Sequence, residues 1–182
     1  MANSGVFSLA PYHILSYGTL LGTTFFHSFI NGTTMFRVLE RPSFSLVQSH
    51  LFPIYFSLQT ALPAVLALTY PGSSNPLGVA SGIAGLLDES KRYCTLLPIA
   101  ATFITGALNL FVLLPATKKV MAERHAQEKK DGKKSYDAAP HSQEMQKLNK
   151  RFGKLHGISS LLNLTAFFAT VAYGFTLASR IA

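Results

Sequence analysis

Polar side chains that stand alone inside apolar stretches are the first places to look for chemistry, because each carries a hydrogen-bonding or ligating group into surroundings that resist it. In this chain they are His13, His27, Asn31, Gln59, Asn109 and Asn163. His13, Tyr17, Thr24, His27 and Asn31 fall on one face of a helix. Thr95, Thr102, Thr105 and Asn109 repeat the pattern, as do His156, Ser160, Asn163 and Thr170. Three kinds of chemistry are open to such a set. Hydrogen bonds between helices would fix their register, at about 0.6 kcal/mol each. A polar pocket would hold a lipid headgroup or a small solute. Imidazole of His13, His27 or His156 would ligate a haem or a metal, with His13 and His27 as the haem candidates. No second ligand completes a recognised metal signature, so the expectation is no cofactor and no metal.

The eight acidic residues avoid the apolar stretches: Glu40, Asp88, Glu89 and five between positions 123 and 144. The chain has no nucleophile elbow, Walker loop, paired carboxylates or HExxH helix. We therefore expect no enzymatic activity and no catalytic residue. The single cysteine, Cys94, excludes an intrachain disulfide.

The elements that must hold these residues follow from composition. Of 182 residues, 48% are hydrophobic and only 13% charged, against about 25% charged in a soluble domain. The apolar residues gather in four runs, 9–39, 51–70, 93–117 and 156–179. Each is long enough to cross a hydrocarbon core of about 30 Å as a helix. The expected fold is all-α: one domain over 1–182, a polytopic four-helix transmembrane bundle. Asn31, Gln59, Asn109 and Asn163 would each lie about 10 Å inside the same end, forming one amide layer with His27 a turn deeper. Gly18 and Gly22 make a Gly-x-x-x-Gly step on the opposite face of the first run, which permits a homodimer. Tyr12, Tyr55, Tyr70 and Tyr93 near the run ends suit the headgroup level. Pro63 is expected to kink the second run.

Lys and Arg are distributed unevenly. Eleven lie between 118 and 154, and Arg37 and Arg41 sit between the first two runs, so 13 of the 16 fall on one side of a four-span chain. The positive-inside rule puts that side in the cytosol and both termini outside it. The charges flank apolar runs rather than interleaving with aromatics, which argues against nucleic acid as a partner. The basic loop 118–154 is expected to form a helical hairpin. Val120 to Lys130 continues the third run, with Lys119–Glu123 and Arg124–Glu128 pairs at i,i+4. Asp131-Gly132 breaks it, Ser142 caps a second helix, and Met145, Leu148, Phe152 and Leu155 form an apolar stripe. Its partners would be anionic lipid or a protein. The stretch 71–92, rich in Gly, Ser and Pro, is expected to be a solvated connector. Phe44 to Phe56 is expected to be the elbow between the first two runs.

Certain motifs carry a resemblance. Phe36-Arg37-x-Leu39-x-Arg41, then Phe44-Ser-Leu-Val-Gln-Ser-His-Leu-Phe-Pro-Ile-Tyr-Phe56, resembles the transmembrane protein 205-like family. So does Phe152-Gly-Lys-Leu-His-Gly-Ile-Ser-Ser-Leu-Leu-Asn163, and the segment Asn109 to Pro115 fits as well. The resemblance implies a four-span protein of eukaryotic endomembranes, the endoplasmic reticulum first, without enzymatic activity. Such proteins are linked to trafficking, secretion and scaffolding. It marks Arg37, Arg41, Gln48, Pro53, His156 and Gly157 as a family-motif elbow. We expect Gln48 and His156 to meet and lock the two helix pairs together. A fainter similarity of the first run to haem-binding and copper-resistance four-helix membrane proteins keeps a small-solute or lipid transporter, or a haem or metal protein, as the alternative.

Overall fold

The computed structural model describes residues 9–72, 81–88 and 92–181. All regular structure among them is helical. Helix α1 (Ala10–Phe25) passes through a π-helical segment, π1 (Phe26–Asn31), into α2 (Gly32–Val38). The residues at both junctions keep right-handed helical angles, so the three form one unbroken run. Helix α3 (Arg41–Leu68) follows, then a short α4 (Gly82–Leu86). Helix α5 (Leu96–Leu108) continues through π2 (Asn109–Leu113) into α6 (Leu114–Asp131), and α7 (Gln143–Ile181) completes the chain. Among the described residues three helical stretches are long and apolar enough to cross a membrane: Arg41–Leu68, Leu96–Asp131 and Gln143–Ser179.

The four long runs pack as a closed ring. The α1 run touches α3, α3 touches α5, α5 touches α7, and α7 returns to α1. Leu20, Leu66, Tyr70, Leu86, Ile99, Tyr173 and Leu177 form the apolar core at one end. Outward-facing positions are strongly apolar: Leu15, Phe26, Ile54, Leu97, Phe111, Leu161, Phe168 and Phe175 are all exposed. The opposite ends of α6 and α7 run on beyond the ring. At 1.5 Å per residue, Leu96–Asp131 and Gln143–Ser179 each measure roughly 55 Å, against roughly 42 Å for α3.

Several expectations need correction. Phe44 to Phe56 is helical, because α3 already starts at Arg41. The turn is only Leu39 and Glu40, where Leu39 and Glu40 leave helical angles. Pro42 early in the first turn of α3 explains the early start, since an N–H is dispensable there. Pro53 and Pro63 both lie inside α3, which continues past each of them. Tyr12 and Tyr93 are exposed, but Tyr55 and Tyr70 are buried in the ring. The 71–92 stretch is more than a solvated connector. Although 73–80 and 89–91 lie outside the described residues, Leu86 is 3% exposed in the apolar core. The backbone N–H of Gly82, at φ +67°, donates to the Tyr70 carbonyl at 2.8 Å. That left-handed angle suits glycine, which has no Cβ to clash.

Beyond the ring, α6 and α7 pack on each other. Val120 and Met145 are fully buried between them and Leu148 nearly so. Gly132, at φ +62°, ends α6 in the left-handed conformation. The Ser142 hydroxyl caps α7 by accepting the Met145 N–H at 3.2 Å. The expected i,i+4 ion pairs do not hold here. Glu123 reaches across to Arg151 at 3.3 Å. Arg124 donates to the Asn149 amide oxygen at 3.0 Å and lies over the Phe152 ring. Contacts between the helices thus take the groups that would otherwise have paired along α6.

Candidate functional site

The two π segments occupy the α1 run and the α5–α6 run, and both carry the polar residues of interest: His27 and Asn31 in π1, Asn109 at the start of π2. A π turn widens the helix by one residue per turn and is frequent at functional sites. In π2 the widening precedes Pro115, whose ring crowds the carbonyl four residues back and whose missing N–H leaves that carbonyl unclaimed.

Around π1 the side chains converge on one phenol. Tyr55 is buried, and its hydroxyl accepts from the Gln59 amide at 3.1 Å. The Ser28 hydroxyl stands 3.5 Å away, and the buried Thr24 lies beside the same oxygen. The His27 ring stacks on Tyr55 with centroids 4.2 Å apart, and Phe52 meets it edge-on. The Asn31 amide donates to His27 Nδ1 at 3.1 Å, so the neutral ring carries its proton on Nε2. Around π2 the Asn109 amide, fully buried, donates to Asn163 Oδ1 at 3.1 Å. The four amides therefore divide into two groups. Asn31 and Gln59 belong to the His27–Tyr55 cluster; Asn109 and Asn163 pair with each other.

What joins the two groups is a close backbone approach. A Cβ on Gly106 would stand 2.7 Å from the Gln59 carbonyl oxygen and 2.9 Å from its carbon. That carbonyl is four residues before Pro63, which has no N–H to give it. Proline is tolerated in such a helix when a neighbour covers the freed group, and the Gly106 backbone lies directly against it. Gln59 Oε1, Asn109 Oδ1 and Thr24 Oγ1 are buried without a protein hydrogen bond.

His13 sits far from this cluster. It is fully buried at the other end of the ring, with Nδ1 3.1 Å from the Thr69 hydroxyl and Nε2 2.6 Å from the Tyr173 hydroxyl. The Thr69 hydroxyl already donates to the Val65 carbonyl, so His13 Nδ1–H is the donor and Nε2 accepts from Tyr173. His13 and His27 are roughly 21 Å apart along their run. One haem cannot take both as axial ligands, and His13 has each ring nitrogen engaged in the protein. Among the described residues no group of three His, Cys, Asp or Glu could hold a metal ion.

The family-motif residues disperse. Gln48 is buried with its amide nitrogen toward the Met35 sulfur at 4.0 Å. His156 is exposed and stacks on Phe152. The structure does not bring Gln48 and His156 together, because they face different neighbours on α2 and on α7 itself. Arg37 is exposed; Arg41 lies 3.7 Å over the Phe36 ring. Pro53 lines a shallow outer groove with Ile54, Ser57, Leu58 and Ala61. Cβ atoms added at Gly18, Gly22 or Gly157 would meet nothing. Sequence reasoning missed Tyr55 as the hub and Gly106 as the contact. The Pro63 spacing from Gln59 was the available signal for the second.

No solved structure matches this chain. A relative, Xanthocillin biosynthesis cluster protein D of Aspergillus fumigatus, is 34% identical over 176 residues, covering 97% of this chain and 93% of the relative. A family model described as a domain of unknown function, DUF4149, matches residues 15–126, which hold π1, Tyr55, Gln59, Gly106 and Asn109. With more than half of its length matched by that model, the chain belongs to the DUF4149 family.

Proposed function

We propose that this chain is a four-span integral membrane protein of an endomembrane, with the α6–α7 end in the cytosol and both termini on the other side, serving membrane traffic, secretion or scaffolding without catalysis. The observation that carries the membrane part is the outer surface of the ring. It exposes Leu, Ile and Phe from all four runs. Hydroxyls on that surface turn back onto their own helix: Thr19 to Leu15, Thr33 to Phe29 and Thr165 to Leu161 donate to carbonyls four residues earlier. Such self-satisfaction is what hydrocarbon demands of a polar group. The α1 run, 29 residues with its π turn, supplies the fourth span. The charge asymmetry supports the orientation.

Cys94 is exposed and gives a built-in reporter. In sealed microsomes an impermeant maleimide should leave Cys94 unlabelled and label a Cys94→Ser, Lys134→Cys variant. Labelling of both, or of neither, would overturn the topology. For the role itself, disrupting the gene should lower secreted cargo while leaving intracellular synthesis unchanged. The resemblance to the transmembrane protein 205-like family supports that expectation.

The relative's name favours a second reading, in which this chain is an accessory of a biosynthetic pathway. Accumulation of an unprocessed precursor in the same disruptant would favour it. A solute path through the ring has less support. The internal cavity lined by Leu20, Pro63, Leu66, Pro98, Ile99, Thr102, Thr170 and Tyr173 has a volume of about 10 Å³, room for about one water.

A further inference from the structure

The acidic groups of the α6–α7 projection are all engaged within it. Glu123 holds Arg151, and Glu144 holds Lys147. Glu128 accepts the Ser135 N–H at 2.9 Å and pairs with Lys134. Asp131 accepts from Gln127 and the Ser142 hydroxyl, and Asp137 accepts the Lys134 N–H. These bonds pin the turn from inside. Around the turn Lys129, Lys130, Lys133 and Lys134 outnumber the three carboxylates Glu128, Asp131 and Asp137; Lys129, Lys130 and Tyr136, the last 50% exposed, stand outward beside the exposed Asp131 and Asp137.

We propose that this tip docks on the anionic face of a second membrane, so that the chain bridges two bilayers. The inference rests on the four-span reading, and distance then decides between the two membranes. Lys130 lies fifteen residues beyond Pro115 on a continuous helix, roughly 22 Å from where the apolar run ends. Electrostatic attraction is screened over about 8 Å in physiological salt. The tip is therefore out of reach of the membrane that holds it, whereas Lys118 and Lys119 are within reach. The chemistry decides between membrane and protein. A protein partner is usually anchored by side chains in a desolvated pocket. The tip instead offers spread lysines and one tyrosine, the set that suits a charged headgroup layer.

The test uses the full chain in phosphatidylcholine proteoliposomes, mixed with acceptor vesicles of phosphatidylcholine alone or with phosphatidylserine. Trypsin cleavage after the tip lysines counts the outward tips, and clustering is read by light scattering per outward tip. Phosphatidylserine acceptors should cluster and neutral ones should not, and added salt should reverse the effect. Lys129→Glu with Lys130→Glu should lower clustering about tenfold or more, and Tyr136→Ser by a smaller factor. Lys118→Glu with Lys119→Glu should leave it unchanged. No clustering with tips outward, equal clustering with neutral acceptors, or indifference to the tip substitutions would overturn the proposal. So would binding of a soluble polyglutamate peptide in the absence of vesicle binding, which would point to an acidic protein. Failure of the α5–α6 run to cross the membrane registers separately, as Cys94 and position 134 labelling from one side.

Discussion

The α5–α6 run and α7 belong both to the ring and to the projection, and their polarity reverses between the two. Within the ring, Thr102, Thr105, Asn109 and Thr170 are buried while Phe103, Ile104, Phe111 and Phe168 face out. In the projection, Val120, Met145 and Leu148 are buried while Lys118, Lys129 and Lys150 face out. A helix in water gains by burying apolar surface. A helix in hydrocarbon gains nothing that way and associates through close packing and hydrogen bonds. The reversal falls near Pro115, where the apolar run ends. It teaches that the α5–α6 run and α7 each pass from one kind of surroundings to the other partway along, and that substitutions on either side should fail for different reasons.

The largest expected effect is in the ring. Gly106→Leu would drive a side chain into the Gln59 carbonyl, a backbone atom that cannot step aside. We expect a loss of about 3 kcal/mol or more, read as a lower melting temperature in detergent and loss of the monodisperse peak. Gly18→Leu and Gly22→Leu should melt like the parent, since both sites are open. If Gly106→Leu melts like them, close packing is not what holds the ring.

The projection should fail locally. Val120→Ala removes buried apolar groups worth about 1.5 kcal/mol. Hydrogen exchange should rise over 118–131 and 143–155 while the ring amides stay protected. A smaller effect, about 1 kcal/mol, is expected from pH. Burial opposes the charge of Glu128, but the Ser135 hydroxyl and N–H, with His125 and Lys134 nearby, outweigh it and hold its carboxyl below the ordinary range. A depressed carboxyl contributes stability above its unfolded value, about 4.3, and that stability is lost as pH falls through the folded value. Exchange at the 132–142 turn should therefore speed up below about pH 4.3, and Glu128→Gln should reduce that pH dependence. A ring that loosens first would contradict the division between the two regions.

How much was legible in the sequence depends on the region. The helical runs were readable because a long apolar stretch has few other ways to satisfy its backbone in hydrocarbon. The Ser142 cap and the Gly132 stop were readable because each acts within a few residues. The Glu123 and Glu128 partners were not, because Arg151 and Ser135 compete with the local pairs only once α6 and α7 are docked. The amide layer was half readable. Counting residues from the ends gave similar depths for Asn31, Gln59, Asn109 and Asn163, but depth says nothing of rotation about each helix axis. The π turns, which add a residue and swing every later side chain, leave no mark in a periodic pattern. Tyr55, expected at the headgroup level from its place near a run end, became the hub of the π1 cluster because α3 begins ten residues before that run.

The smallest effect bears most directly on what the polar interior is for. Asn109 and Asn163 share one hydrogen bond between α5–π2 and α7. If that bond is register glue, a cycle of Asn109→Leu, Asn163→Leu and the double substitution should show a coupling of about 0.6 kcal/mol, and no more than about 1.7. Leucine keeps the branching of asparagine and leaves no cavity, and the cycle cancels the cost of its extra bulk where the two sites bear it independently. The double substitution should cost less than the sum of the two single ones by that coupling, because each single variant leaves the other amide buried without a partner. The same variants should leave exchange in the α6–α7 projection untouched, since Val120, Met145 and the Glu128 bonds hold that region without help from the ring. A coupling near zero with stability preserved would mean that Asn109 and Asn163 are satisfied by something other than each other. That would move the pair from the packing of the ring to the recognition of a ligand within it.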